Sequence, residues 1–93
     1  MKKIMIKERD RVVLTKPIAS EGLEAGDVGT VVHVYRDGHA YEVEFTTLAG
    51  KTAAVATVEK NQVRPVNQRE ITHARELAPA RHFTFPFGLR GRG

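Results

Sequence analysis

The sequence has no cysteine and no tryptophan, and its aromatic residues are two tyrosines and four phenylalanines. The absence of cysteine excludes disulfides, thiolate zinc sites and cysteine nucleophiles. Apolar runs fall well short of the ~20 residues that cross a bilayer, and the basic, apolar start breaks before the roughly 7 to 15 apolar residues of a signal peptide. We therefore expect a cytoplasmic protein with one small domain, an aliphatic core and no membrane partner.

The positive charge is concentrated at the C-terminal end of the chain. Residues 1–66 hold ten Lys/Arg and nine Asp/Glu, whereas residues 67–93 hold five Arg and two Glu. The net charge of +4 therefore comes mostly from the tail, while the rest of the chain is nearly neutral. A high isoelectric point with this distribution is weak evidence for a nucleic-acid-binding domain.

Apolar residues recur with a period of two through residue 66, which indicates strands rather than helices. A long polar loop over residues 16–27, an Asp-Gly turn at residues 37–38 and a helical turn at residues 59–62 separate the strands. Short strands at this spacing predict an all-β fold, a small five-stranded SH3-like barrel. Its strands are predicted at residues 11–15, 28–35, 40–46, 51–58 and 63–66.

The two ends of the chain have a different character from the predicted barrel, residues 9–66. Residues 1–8 form an N-terminal extension. Residues 67–78 are predicted as a short helix, because apolar residues recur at helical spacing after a capping Asn67. A helix of about twelve residues is marginal in water, so it would need a surface to lie on. Residues 79–93 are an irregular tail rich in Phe, Arg and Gly.

The sequence of the predicted barrel is similar to a known family. The segments "GDVGTVV" at 26–32, "YEVEF" at 41–45 and "VRP" at 63–65 are its main marks, together with Leu14 and Gly22-Leu23. Over residues 9–66 the chain resembles a bacterial family of short proteins, domain of unknown function group four-nine-two-six. The resemblance implies an SH3-like fold and implies no activity. Small bacterial proteins of this kind are often encoded beside a partner gene, including toxin-like ones.

The Gly-Asp-Val-Gly corner at residues 26–29 could cradle a phosphate or simply bend the chain. A Gly-x-x-Gly clamp on nucleic acid needs helices on both sides, and a P-loop needs Lys-Ser/Thr after its last glycine. Here a strand follows, and Asp27 places a negative charge where a phosphate would lie. We therefore predict a structural bend, with Gly26 at positive φ and Gly29 allowing a close approach.

The polar residues do not form a pattern typical of a metal site or of catalysis. His33 and His39 flank the turn that contains Asp37, but Asp37 is already explained by the turn, so two ligands remain where a metal needs three or four. Glu42 and Glu44 share one face of a strand, and without burial their acidities would not diverge. The sequence thus predicts no enzyme, no metal and no cofactor.

Exposed apolar residues beside the loops instead suggest a surface for another protein. In an SH3-like fold the long first loop and the Asp-Gly turn flank a groove that suits a basic or extended peptide. Tyr35 is expected to be exposed because its parity opposes that of Val32 and Val34, whereas Leu23 is open to a second interpretation as a core residue. The predicted partner-binding residues are Ile18, Leu23, Tyr35, Asp37, Phe83, Phe85 and Phe87.

The tail supports an alternative function. Its arginines Arg81, Arg90 and Arg92 interleave with phenylalanines, and such segments can neutralise phosphates while bases stack on the rings. We rank protein partnership first, as an antitoxin-like, immunity-like or accessory subunit of a genetically linked protein. Nucleic-acid binding through the tail is the alternative, and a small metal or catalytic domain is third.

Overall fold

In a computed structural model, which describes residues 5–77, the chain forms five β-strands joined by turns. Three short 3₁₀ turns connect them, at Ala19–Glu21, Arg36–Gly38 and Lys60–Gln62. Every predicted strand is present, with bounds within one residue of the prediction. The strands are β1 (Arg11–Leu14), β2 (Val28–Tyr35), β3 (Ala40–Thr46), β4 (Thr52–Glu59) and β5 (Val63–Pro65). Over residues 5–77, no helix is both long and apolar enough to span a membrane.

The five strands form one antiparallel sheet in the order β4-β3-β2-β1-β5. Strands β4 and β5 are its two edges and do not pair with each other, so the prediction of a closed barrel is wrong. Strand β5 has only three residues and includes Pro65, which has no N–H for a ladder, and it offers β4 little to pair with. The 3₁₀ turn Lys60–Gln62 instead connects the two edges.

The inner face of the sheet carries the hydrophobic core. On β3, Tyr41, Val43 and Phe45 are buried while the residues between them are not, as the alternation predicts. All residues that are buried in the described part of the chain are apolar, apart from the phenol hydroxyl of Tyr41. The other members of this core cluster are Val12, Leu14, Leu23, Val31, Ala54, Ala56, Val58 and Val63.

A β-bulge in β2 changes which of its side chains face the core. The pairing with β3 shifts between Val31 and His33, so Val32 is an extra residue on this strand. Val34 packs against the core, whereas Val32 is 45% exposed. The prediction that Val32 and Val34 share a face is therefore wrong. Tyr35 is exposed as predicted, but because of the bulge and not because of simple parity.

The predicted helix at residues 67–78 is absent from residues 67–77, which we call the arm. Only its first residues turn: the Glu70 N–H donates to the Asn67 carbonyl at 3.2 Å, and the Asn67 N–H donates to the Glu70 carboxylate at 2.8 Å. The remainder has no regular secondary structure. Helical spacing alone could not outweigh the side-chain anchors described below, since a helix this short is marginal.

Candidate functional site on the outer face of the sheet

The glycine corner before β2 is a structural bend. Gly26 has a φ of +99°, as predicted, and its N–H donates to the carbonyl of Leu14 at 2.8 Å. A Cβ added at Gly29 would lie 2.5 Å from Cγ1 of Val43 and 2.9 Å from the ring of Phe45. Only glycine leaves room for these core side chains, so Gly29 is needed for packing and both glycines have a structural explanation.

The acidic residue of this corner is paired within the chain. Arg75 of the arm donates to Asp27 from Nε at 2.9 Å and from Nη2 at 2.5 Å, which is a bidentate pair. The Glu24 N–H also donates to Asp27 at 2.8 Å. Burial alone would raise the pKa of Asp27, but the hydrogen bonds from Arg75 and Glu24 lower it below its usual value. Asp27 therefore fixes the arm.

A second arginine–carboxylate pair holds the start of the arm. Arg64 on β5 donates to both carboxylate oxygens of Glu70, at 3.0 and 2.5 Å. These bonds, with the one from the Asn67 N–H, lower the pKa of Glu70 to about 2. Because Arg64 lies on β5 and Asp27 precedes β2, the chain between the two anchors crosses β1.

The arm thus covers the part of the outer face of the sheet around Val13. Val13 alternates with the core residues Val12 and Leu14 and so faces away from the core cluster, yet it is only 5% exposed. Its neighbours in register are Val28 on β2 and Arg64 on β5. We call this part of the outer face, over β1 and β5, the covered half.

The other half lies over β2, β3 and β4, and at one point Glu8 approaches it, 3.9 Å from His33. Three rows of paired residues cross it, and we call these nine residues the open face. Val32, the extra residue of the bulge, lies beside the open face. Two large side chains of the open face are exposed, Tyr35 at 38% and Val55 at 49%. The rows are Tyr35-Ala40-Glu59, His33-Glu42-Thr57 and Thr30-Glu44-Val55.

The tyrosine of the open face is held in place by its neighbours. Its hydroxyl donates to Glu42 at 3.1 Å, and Glu42 also accepts from the hydroxyl of Thr57 at 2.7 Å. The ring of His33 packs edge-on against the Tyr35 ring, with centroids 4.5 Å apart. The hydrogen bond to Glu42 is the main reason that the pKa of Tyr35 is raised above its usual value. The Tyr35 ring is thus held in one orientation by contacts within the chain.

The open face is acidic. Strands β2, β3 and β4 contain three glutamates and no lysine or arginine. Residues 5–77 together hold ten Lys/Arg and eleven Asp/Glu, a net charge of −1. The positive charge of the whole chain therefore comes from the two lysines of residues 1–4 and the three arginines of residues 78–93.

A separate open groove of about 500 Å³ lies between the arm, the glycine corner and the β3–β4 turn. Its walls include large apolar side chains that are exposed, with Leu48 at 79% and Ile71 at 88%. Val28 and Leu77, also exposed, contribute to the same walls. Glu24, Asp27 and Arg75 also line the groove, so its walls combine apolar side chains with charged ones.

The predicted partner-binding residues are not gathered in one place. Ile18 and Leu23 pair with each other through two backbone hydrogen bonds, of 2.9 and 3.1 Å, and Leu23 is a core residue at 3% exposure. Tyr35 and Asp37 lie at the far end of β2, with Asp37 in the turn. Leu23 lines the groove just described, and the other three do not. The tail residues Phe83, Phe85, Phe87, Arg81, Arg90 and Arg92 lie outside the described residues.

Within residues 5–77, no three His, Cys, Asp or Glu residues are grouped as a metal ion would require. Nδ1 of His33 lies 3.9 Å from Oε2 of Glu8, so this contact brings together two possible metal ligands and not three. His39 lies in the turn after β2, where its N–H donates to the carbonyl of Tyr35 at 3.1 Å. These histidines therefore belong to the surface and to a turn.

Sequence reasoning missed the two anchors of the arm and the exposed Val55. The anchors have no local signal, because Arg75 and Asp27 are 48 positions apart. The exposure of Val55 was predictable from the sequence, since the alternation of β4 places its side chain on the other side of the sheet from the buried Ala54 and Ala56.

No curated protein and no solved structure matches the chain. A family model matches residues 8–65, which include all five strands and the open face but not the arm. The match covers more than half of the 93 residues. The chain belongs to the family described as Domain of unknown function (DUF4926).

Proposed function

We propose that the protein is a non-catalytic module that binds another protein through the open face. One observation carries this proposal: exposed Tyr35, Val32 and Val55 lie on strands that have three glutamates and no basic residue. Tyrosine is enriched at the energetically important positions of protein interfaces, and here Glu42 and Glu44 of the central strand β3 lie between Tyr35 on β2 and Val55 on β4.

The geometry of Tyr35 favours a role as the anchor of this interface. A tyrosine has few rotatable bonds, so it loses little conformational entropy when a partner covers it. Here its hydroxyl is already bonded to Glu42 and its ring is packed on His33. Binding would therefore require little further ordering of this side chain.

The charge of the open face defines the chemistry of the partner. Glu42, Glu44 and Glu59 would be balanced by lysines or arginines around an apolar centre on the partner surface. Such a partner would be genetically linked, with this protein acting as its accessory, antitoxin-like or immunity-like subunit. Asp37, in the turn next to Tyr35, adds a further negative charge beside the open face.

The distribution of charge also favours a second candidate, nucleic-acid binding by the tail. Residues 78–93 have three arginines and no acidic residue, whereas residues 5–77 have a net charge of −1. An acidic open face would repel phosphates, so this function would depend on Arg81, Arg90 and Arg92 alone.

Affinity capture with matched variants tests the main proposal. The full chain, the double variant Tyr35→Ser/Val55→Ser and the control Leu48→Ser/Val66→Ser would be used as baits in a lysate of the source organism. The control also removes two exposed apolar side chains, but both lie outside the open face. We expect one basic-surfaced protein to be retained by the wild type and the control and lost from the open-face variant.

The purified partner should then bind the wild-type chain directly, more weakly as salt is raised. Capture that is unaffected by Tyr35→Ser/Val55→Ser would contradict the proposal. Fluorescence anisotropy with labelled single-stranded RNA and DNA at about 50 and 200 mM salt tests the second candidate, where counterion release is readily seen. Salt-sensitive binding that is lost when Arg81, Arg90 and Arg92 are changed to Gln would support nucleic-acid binding by the tail.

A further inference from the structure

The groove leaves several apolar side chains exposed within residues 5–77. Four large side chains in its walls, Val28, Leu48, Ile71 and Leu77, are all exposed. Exposed apolar side chains that gather around one groove are candidates for contact with another apolar group. The volume of about 500 Å³ is in the range of cavities that accept bulky apolar groups.

The chain itself supplies such groups immediately beyond the groove. The arm forms one wall, and the last described residue, Leu77, is in that wall. Phe83 follows six residues later, a separation that a chain can span up to about 20 Å. This reach is enough to return the chain across the groove that it has just lined.

The sequence of the tail suits an extended occupant. In "FTFPF", residues 83–87, phenylalanine alternates with Thr84 and Pro86. Alternate residues of an extended chain point to the same side, so the three rings would line one edge over about 13 Å. Proline also disfavours helical backbone at the residue before it, here Phe85.

Charge favours the same arrangement. Residues 78–93 contain three arginines and no acidic residue. Glu24 in the groove wall is exposed and lies 3.7 Å from Arg75, whose guanidinium is already bonded to both oxygens of Asp27. The Glu24 carboxylate therefore keeps room for a second cation, and Arg81 is the first that the tail provides.

We infer that in the free protein the groove holds the protein's own tail, with Phe83, Phe85 and Phe87 against its apolar walls and Arg81 beside Glu24. The open face is a different surface, so this docking goes beyond the proposed function and does not depend on a partner. In this arrangement the three phenylalanines contact the groove of their own chain. It also implies that a ligand of the tail, such as RNA, competes with the groove.

Methyl NMR of the full chain tests this inference without any partner. The triple variant Phe83→Ser/Phe85→Ser/Phe87→Ser removes the rings, and Leu89→Ser is the matched control in the same tail. We expect the methyl signals of Ile71, Leu48, Val28 and Leu77 to shift in the triple variant and to stay in place in the control. Core methyls of Val31 and Val43 should be unchanged in both, which shows that the fold is intact.

A synthetic peptide of residues 79–93, added to the triple variant, should return the groove signals towards their wild-type positions. Groove signals that are identical in the wild type and the triple variant would overturn the inference. Wild-type groove signals that move with protein concentration over a tenfold range would also overturn it, since the occupant would then be the tail of a second copy.

Discussion

The two halves of the outer face differ in how the chain treats them. Over β1 and β5 the chain covers its own sheet: the arm crosses between the Arg64–Glu70 and Asp27–Arg75 pairs, and Val13 is almost fully buried. Over β2, β3 and β4 exposed apolar and aromatic side chains remain among glutamates. Because the chain covers the neighbouring part of the same face, the exposed side chains over β2, β3 and β4 are stronger evidence for a functional surface.

The two halves also differ in the forces that maintain them. The sheet beneath both is held by apolar burial, which responds little to pH or salt. The arm is held by two bidentate ion pairs at or near the surface, which respond to both. The family match ends at residue 65, so the covering arm lies outside the matched segment and the open face lies within it.

The largest expected effect comes from removing a core side chain beneath both halves. Phe45→Ala should lower the free energy of unfolding by about 3–5 kcal/mol, because a buried phenylalanine leaves a cavity. That is comparable with the whole stability of a domain this small. Lys51→Ala, at an exposed site six residues later, should change it by about 0.5 kcal/mol or less. Urea denaturation measures both, and equal losses would contradict the assignment of the core.

The next effect is overpacking at the glycine of the corner. Gly29→Ala should destabilise the sheet by about 1–3 kcal/mol, since its new methyl group would overlap Val43 and Phe45. Combining it with Val43→Ala removes one of the overlapping groups. The double variant should therefore lose less stability than the sum of the two single variants. Additive losses in urea denaturation would show that the close approach is not the cause.

A smaller effect is expected when the arm loses the pair between Arg75 and Asp27. Arg75→Gln removes the bidentate bond to Asp27 and should reduce the free energy of unfolding by about 1 kcal/mol. It should also make the arm more sensitive to limited proteolysis, while the sheet remains resistant. Arg69→Gln, a charge-matched change at an exposed site in the arm, is the control. Equal proteolysis of the two variants would argue against the anchor.

The pair between Arg64 and Glu70 should weaken in acid. The pKa of Glu70 is lowered from 4.5 to about 2 by Arg64, so the folded arm favours the ionised carboxylate. Its stabilisation is complete above about pH 4.5 and is lost as the pH falls towards 2. Asp27, whose pKa is also lowered, acts in the same direction. The methyl signal of Ile71 should follow this transition while that of Val43 does not.

Replacing the carboxylate tests the origin of this acid transition. In Glu70→Gln the pairing with Arg64 no longer depends on protonation, so the contribution of this anchor to the Ile71 shift should disappear. A transition that persists unchanged in Glu70→Gln would mean that another group controls the start of the arm.

The smallest effect is expected on the open face. Tyr35→Phe removes the hydrogen bond to Glu42 but leaves the ring in place, and its effect on the free energy of unfolding should be about 0.5 kcal/mol or less. A side chain with so little structural importance is free to serve binding. A loss well above 1 kcal/mol in urea denaturation would instead make Tyr35 a structural residue.

The strands were predictable because their signals are local. The alternation of Tyr41, Val43 and Phe45 and the glycine corner depend on neighbouring residues, and both agree with the structure. The helical spacing of Ile71 and Leu77 is real, yet it was overridden by contacts with residues distant in sequence.

The remaining features depend on relations between distant parts of the chain. The sheet is open because β4 and β5 do not pair, and the sequence of either strand alone does not predict this. The bulge at Val32 depends on the register with β3, and it decides that Val34 faces the core. The open face was only partly predictable for the same reason: Tyr35 was expected to be exposed, but its neighbours across the sheet were not foreseen.

The most direct test of the account is a hydrogen–deuterium exchange footprint of the full chain, alone and bound to the protein recovered by capture. We expect the partner to slow exchange in peptides from β2, β3 and β4, including those with Tyr35 and Val55, and to leave β1, β5 and the arm unchanged. Protection confined to the arm, to β1 and β5 or to residues 78–93 would contradict the assignment of the open face as the binding surface.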